Sequence, residues 1–183
     1  IPEEVMVSFQ APAGTAASAG TKVNTTPIAA SAVWILERSG ASPPDTTVTF
    51  RASEGRTIVM RHGAPDNAIF AILSIPPAAT TARSGDSTTI SLSPSPGRYG
   101  VTISSTDSLG AGIQLTFSYA THFQEPSEAT TKYPTPGQFE QATAPLLVLP
   151  TGQVQFVVNQ RPAADMIRFP VSATGTWLLA APR

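Results

Sequence analysis

The sequence contains no cysteine, little charge and no long apolar run. Without cysteine, the chain can form no disulfide, no catalytic thiolate and no cysteine-ligated zinc or iron–sulfur centre. Its 183 residues carry 11 basic and 12 acidic side chains, and charged residues make up only 13% of the chain. Because no cluster of one sign provides an electrostatic surface for DNA or RNA, we expect no nucleic-acid partner.

The longest apolar window runs from Ala68 to Ala79 and is interrupted by Pro76 and Pro77. It is shorter than the roughly 20 residues that a membrane-spanning helix needs, so we expect no transmembrane segment in this chain. The chain begins at Ile1, which leads us to expect a removed leader or a start inside a longer protein. Low charge with abundant small residues and 18 prolines predicts an extracytoplasmic bacterial protein, located in the periplasm, in the cell envelope or outside the cell.

What the sequence does contain is a repeated alternation of apolar and polar residues at spacing two. Helix patterns are nearly absent, and the intervening segments are rich in Pro, Gly, Ser and Asp. Short strands separated by such turns predict an all-β, antiparallel two-layer sandwich of jelly-roll or immunoglobulin-like type. The predicted strands are VMVSF from Val5, SAVWILER from Ser31, TTVTFR from Thr46, RTIVMR from Arg56, AIFAILS from Ala68, TTISLS from Thr88, RYGVTIS from Arg98, GIQLTFSYA from Gly112, LLVL from Leu146, QVQFVVN from Gln153, MIRF from Met166 and TWLLAA from Thr176.

The alternation also predicts which strand faces are buried. In the strand from Gly112, Ile113, Leu115, Phe117 and Tyr119 share one parity, which predicts one packed face and one wet face. The runs VWIL at 33–36 and IFAIL at 69–73 are apolar on both faces. We therefore expect these two strands to be central, or to be covered by another segment or subunit.

Prolines and small residues divide the chain into three parts. Residues 1–123 are predicted to form the main sandwich, including an irregular segment at 11–27. Residues 124–145 interrupt the strand pattern with four prolines and are predicted to be a linker. Residues 146–183 are too few to bury their own core, so their strands are expected to pack on the main sandwich or on a partner.

Part of the chain resembles a known family. Between residues 56 and 123, two strands, a long polar loop and further strands follow one another, and the turn Pro96-Gly97-Arg98-Tyr99 precedes a strand. This order is similar to the bacterial pre-peptidase C-terminal domain, a small β-sandwich found beside secreted enzymes. The resemblance implies an extracytoplasmic, non-catalytic accessory module.

One motif suggests an enzyme. A strand that ends in Arg61-His62-Gly63 resembles the phosphoryl-accepting motif of the histidine phosphatase superfamily. That superfamily also needs a second histidine, usually followed by glycine, and a second arginine on an α/β sheet. Here His122 is followed by phenylalanine, and Arg83, the available arginine, lies in a loop. We therefore interpret His62 as a strand-end residue beside a turn, not as a catalytic residue.

Other groups of reactive side chains give weaker sequence evidence for a functional site. A metal site formed by His62, Asp66 and His122 would have few ligands, since no close pair such as His-x-His accompanies them. Asp86 and Asp107 lie in loops where calcium could bind, but turn capping explains them better. A Ser-His-Asp triad stays open, because serines are abundant and no Gly-x-Ser-x-Gly elbow is present. We predict no catalytic residue, no metal site and no cofactor.

The aromatic residues suggest where a partner could bind. Trp34 and Trp177 lie within apolar strands, which favours core packing over stacking on a sugar. Tyr133, together with Phe139 in the same proline-containing segment, is predicted to contact a partner protein.

These observations lead to one main functional prediction. The chain is expected to be a non-catalytic, extracytoplasmic structural or interaction subunit of a larger assembly, either free or membrane-associated. The alternative is a ligand-binding accessory module of a secreted enzyme, with carbohydrate or calcium as its ligand. A hydrolase that uses His62 is a third candidate.

Overall fold

The fold was analysed in a computed structural model that describes residues 18–83 and 85–183. The predicted strand from Val5 and the first part of the irregular segment at 11–27 lie outside the described residues. The strands, in chain order, are β1 (Ser18–Ala19), β2 (Val33–Ile35), β3 (Glu37–Arg38), β4 (Thr46–Arg51), β5 (Arg56–Arg61), β6 (Ile69–Ile75), β7 (Ser87–Pro94), β8 (Gly100–Ser105), β9 (Gln114–Ser118), β10 (Phe123–Gln124), β11 (Ala144–Val148), β12 (Val154–Phe156), β13 (Gln160–Ala163), β14 (Met166–Pro170) and β15 (Gly175–Pro182). One α-helix, α1 (Pro136–Ala142), and two 3₁₀ helices at Ala30–Ala32 and Ser127–Thr131 complete the described structure.

Two antiparallel sheets form the sandwich that the strand pattern predicts, so the all-β fold class is confirmed. Sheet A has the strand order β1-β13-β14-β9-β6-β5. Sheet B has the order β12-β11-β15-β8-β7-β4, with β2 also paired to β15. The short strands β3 and β10 pair with each other outside both sheets. No helix among the described residues is long and apolar enough to cross a membrane.

The core lies between the two sheets and follows the predicted parity. Ile113, Leu115 and Phe117 are fully buried, and so is Trp177 from the facing sheet. The Phe117 ring lies 6.1 Å from that of Phe169, whose centroid is 5.5 Å from Trp177. Burying each large apolar side chain contributes about 1.5–3 kcal/mol, so this interior is the main source of stability.

The outer face of sheet B explains why some strands are apolar on both sides. A second apolar cluster contains Val33, Leu146, Val154, Phe156 and Leu178, all of them buried. The chain's own segment after β1 covers part of it: Val23 and Ile28 pack there, and Ile28 exchanges two backbone hydrogen bonds of 2.9 Å with Val154. Part of this face is therefore covered by the same molecule.

The predicted strand at 31–38 is broken in the structure. Residues 30–32 form a 3₁₀ turn, β2 follows, and β3 leaves sheet B to pair with β10. At the break, Leu36 donates its N–H to Leu179 and accepts from the N–H of Tyr99. The backbone of Leu36 thus bridges two neighbouring strands, which the local apolar pattern does not reveal.

The segment predicted as a linker, 124–145, is folded against the sandwich. Thr135 and Gln138 form a reciprocal capping box at the start of α1, and Pro136 occupies its first turn. Phe139 on this helix is completely buried. The prolines suggested an irregular connection, whereas Thr-Pro-x-Gln is a helix-start signal that overrides that expectation.

The last strands belong to both sheets. β11, β12 and β15 are three of the seven strands of sheet B, and β13 and β14 lie between β1 and β9 in sheet A. β15 pairs with β11, β8 and β2. Residues 146–183 therefore complete the same sandwich as residues before 123.

Candidate functional site

Three residues that are distant in the sequence meet in the structure. His62 follows β5, Asp66 lies in the turn before β6, and His122 lies between β9 and β10. His122 Nε2 is 2.5 Å from Asp66 Oδ2, and the centroids of the two histidine rings are 5.1 Å apart. The structure thus brings together the three side chains that the sequence suggested as a possible metal site with few ligands.

His62 follows β5 and continues its alternation of buried and exposed side chains. Ile58 and Met60 are buried on the same side, and the backbone N–H of His62 donates to Ala68 at 2.8 Å. The side chain is only 1% exposed, and neither ring nitrogen has a hydrogen-bond partner among the residues that the structure describes. Phe70 lies 5.3 Å from the imidazole ring. This environment agrees with the interpretation of His62 as a buried strand-end residue.

The surroundings of His62 favour its neutral form. Burial lowers the pKa of His62, the nearby His122 and Arg38 lower it further, and Asp66 opposes them. Arg38 is itself buried and donates from its guanidinium to the backbone oxygens of Gly40 and Ala41, at 3.4 and 3.0 Å. A buried neutral imidazole beside a buried cation cannot gain a proton without a cost.

His122 also connects Asp66 to a serine. Its Nδ1 lies 3.5 Å from Ser39 Oγ, so the three side chains follow the order acid, base and hydroxyl of a catalytic triad. The backbone of His122 has a φ of 65°, and a Cβ added at Gly40 would lie 2.6 Å from the His122 ring. Because Gly40 has no side chain, the His122 imidazole can lie against the backbone of the loop that follows β3.

The triad-like contacts lie outside five surface pockets of the described structure. These pockets, of about 300–530 Å³, are not lined by Ser39, His62, Asp66 or His122. Among the described residues, no three His, Asp or Glu side chains are arranged to hold a metal ion. The distance of 3.5 Å between Ser39 and His122 is also at the limit for a hydrogen bond.

The remaining sequence-derived sites do not join this cluster. Arg83 is exposed in the loop before β7, and the buried His62 is inaccessible as a phosphoryl acceptor. Asp107 accepts from its neighbour Thr106 at 2.9 Å. The backbone of Asp86 accepts from the N–H of Ala52 at 3.1 Å. Turn capping by the side chains of these two aspartates stays a prediction.

The two predicted partner-contact aromatics pack within their own chain. Phe139 is fully buried against its own chain, and its contact with a partner stays a prediction. Tyr133 is half-buried; its hydroxyl donates to the Pro182 oxygen at 2.8 Å, and its ring meets Phe139 at 5.7 Å and Trp34 at 6.0 Å. Partner binding by Tyr133 stays a prediction, while Phe139 acts as a core residue that holds α1.

Sequence reasoning missed Ser39 and Arg38. Nothing near Ser39 in the sequence indicates that it meets His122, because 83 positions separate the two residues. Arg38 gave no signal either, since arginine in a strand is usually exposed. Both positions depend on the pairing of β3 with β10, which no local pattern predicts.

A different kind of site is the edge of sheet A. Within the described residues, β5 has a single strand neighbour, β6. Its outward side chains Thr57, Val59 and Arg61 are exposed. Val59, at 41% exposure, and Val158, at 68%, are the large apolar residues exposed in the described part of the chain. One side of the β5 backbone therefore has no strand partner in the part of the chain that the structure describes, and an accessible apolar side chain lies beside it.

Comparison with protein-family models, curated proteins and solved structures found no match for this chain. The turn that carries the resemblance to the pre-peptidase C-terminal domain does lie before a strand, β8, with Tyr99 fully buried. Membership of that family stays a prediction.

Proposed function

We propose that this chain is a non-catalytic, extracytoplasmic structural or interaction subunit of a larger assembly, and that it binds a protein partner along β5. The open edge of sheet A supports this proposal most directly. β5 pairs only with β6 among the described residues, so one side of its backbone has free hydrogen-bonding groups. An extended segment of a partner can add to such an edge as a further strand.

The side chains on this edge favour binding of a specific partner over unspecific strand pairing. Arg56 and Arg61 are exposed at its two ends and Val59 lies between them. Charged residues on an edge strand discourage unspecific pairing with other chains. A partner strand with an acidic residue and an apolar contact would satisfy both features. The extracytoplasmic location is supported by the low charge and the proline-rich composition.

A second candidate is favoured by one observation. The contacts from Asp66 through His122 to Ser39 are those of a hydrolase that uses a serine nucleophile. Hydrolysis of activated esters by the purified protein, abolished in Ser39→Ala, would favour this candidate over the interaction role. A matched Ser42→Ala variant, which alters a hydroxyl bound to Arg38 in the same loop, is expected to keep any such activity.

The interaction role is tested by isolating the native complex. Gentle purification followed by mass spectrometry should find the chain in a complex of fixed stoichiometry. Val59→Lys should release the chain from that complex, because a lysine would place a charge in the apolar contact. Val158→Lys, which alters the other exposed large apolar residue, should leave the complex intact. A native protein that is monomeric, or a complex insensitive to Val59→Lys, would overturn the role of β5.

A further inference from the structure

The outer face of sheet B carries a group of hydroxyl side chains that the proposed function does not use. Alternate residues of β4, β7 and β8 point outward there, because Val48, Ile90 and Val101 pack toward the core. Three pairs of outward hydroxyls are hydrogen-bonded across neighbouring strands, each with 2.8 Å between its two oxygens. We call these six residues the hydroxyl face: Thr47 and Ser91, Thr49 and Thr89, and Thr102 and Thr176.

The hydroxyl face extends over four strands that are consecutive in sheet B, namely β15, β8, β7 and β4. Ser93 lies opposite Thr102, and Ser91 lies opposite Ser104, so further hydroxyls lie between the three pairs. Neighbouring strands are about 4.7–4.9 Å apart, and alternate residues of one strand are about 6.4–6.8 Å apart. The outward positions at 47–49, 89–93 and 102–104 therefore form a regular pattern of Thr and Ser without a charged side chain.

The paired hydroxyls keep hydrogen-bonding capacity for a ligand. Each hydroxyl has one donor hydrogen and two acceptor lone pairs. Within a pair only one hydrogen is used, so the other hydroxyl can still donate and both oxygens can still accept. Thr47, Thr49 and Thr102 are exposed, and their three partners are partly exposed. The hydroxyl face is therefore complementary to an uncharged ligand that itself carries many hydroxyls.

A cleft of about 530 Å³ adjoins the hydroxyl face. Thr102 and Thr176 line this cleft, together with the apolar side chains of Pro94, Pro96 and Leu178. Arg98 also lines it, and the Arg98 guanidinium forms no ion pair with a described residue. The cleft volume lies within the roughly 300–1,000 Å³ of small-molecule sites, which combine apolar walls with a few polar groups.

We infer that the hydroxyl face and the adjoining cleft bind an uncharged polysaccharide. A sugar ring has hydroxyls for the Thr and Ser pairs and apolar C–H faces for the prolines and Leu178. Ordered water alone would use the hydroxyls but would gain nothing from the apolar wall. An anionic polymer would meet a single guanidinium, that of Arg98. The inference goes beyond the proposed function, which concerns the edge of sheet A.

The test measures binding of the full-length chain to three immobilised neutral polysaccharides: dextran, galactomannan and mixed-linkage β-glucan. At least one should bind the wild-type protein, and this binding should persist in about 1 M salt, where attraction between exposed charges is screened. Thr102→Val and Thr176→Val each remove one hydroxyl and keep a β-branched side chain, which suits a strand. Each variant should bind about threefold to tenfold more weakly, because it loses one hydrogen-bonding group.

Thr57→Val is the matched control, because it makes the same change at an exposed position of β5 in the other sheet. It should leave polysaccharide binding unchanged, and circular dichroism should show that all three variants are folded. The inference would be overturned by absence of binding to all three polysaccharides, by binding that salt removes, or by equal effects of Thr57→Val and Thr102→Val.

The native complex separates this inference from the proposed function. Thr102→Val should leave that complex intact, whereas Val59→Lys should release the chain from it without changing polysaccharide binding. If Thr102→Val releases the chain from the complex, a protein partner covers the hydroxyl face and the polysaccharide inference is wrong. A complex insensitive to Val59→Lys would contradict only the role of β5.

Discussion

Among the individual residues, His62 makes the stability of the folded state depend on pH. It is almost completely buried and lies near Arg38, His122, Asp66 and Tyr99. Neither of its ring nitrogens forms a hydrogen bond with a described residue. Its pKa is lowered in the folded state, so the unfolded chain binds a proton at this site more readily. The folded state should therefore lose stability as the pH falls below the unfolded value of about 6.5.

The corresponding prediction concerns His62→Phe. Wild-type protein should lose free energy of unfolding between pH 7 and 5, with a slope from this site of up to about 1.4 kcal/mol per pH unit. His62→Phe removes the titrating group, and its curve should be flatter. Urea unfolding at several pH values measures this difference, with His122→Gln as the variant that keeps His62. Parallel curves for wild type and His62→Phe would contradict the assignment.

At the scale of elements, α1 shows how a proline-containing segment becomes part of the core. Thr135 and Gln138 cap its start, and the Thr143 hydroxyl donates to the Phe139 oxygen at 2.8 Å near its end. Phe139 contacts Phe123 and Tyr133 through edge-on ring packing. The helix has only seven residues, so its stability comes mainly from this buried ring and not from helix propensity.

We expect Phe139→Ala to lower the free energy of unfolding by about 3–5 kcal/mol, because it removes a fully buried ring and leaves a cavity. Gln141→Ala, at an exposed position of the same helix, should change it by less than about 0.5 kcal/mol. Denaturant titration compares the two variants. Equal effects would mean that α1 is not anchored through Phe139.

At the scale of the whole molecule, β15 joins parts of the chain that are distant in sequence. It pairs with β11 on one side and with β8 and β2 on the other. Trp177, Leu179, Ala180 and Ala181 are fully buried within it. Sheet B therefore has a C-terminal strand at its centre, and its last residues are as important to the fold as any internal strand.

Deletion of residues 175–183 should consequently abolish cooperative folding. The deletion would expose both apolar clusters and leave the edges of β8 and β11 without a partner. Thermal melting followed by circular dichroism should show no cooperative transition, whereas deletion of Arg183 alone should retain one. A truncated chain that melts like the full protein would show that sheet B does not need its central strand.

Local alternation predicted much of the fold but little of the candidate site. The bounds of β4 and β5 coincide with the predicted segments, and the buried parity of Ile113, Leu115 and Phe117 is as predicted. The two-residue strands gave too short a pattern to detect, and β13 contains a proline that argues against a strand. The triad-like contact could not be predicted, because Asp66 and Ser39 lie 56 and 83 positions from His122.

The amino-acid sequence by itself determined the all-β class, the faces of most strands and the absence of cysteine chemistry. These properties follow from composition and from the fixed two-residue period of a strand. The tertiary structure decided which strands pair, that the segment after β1 covers part of the outer face of sheet B, and that β5 is an edge of sheet A among the described residues. These features depend on contacts between distant parts of the chain, and a local period carries no information about such contacts.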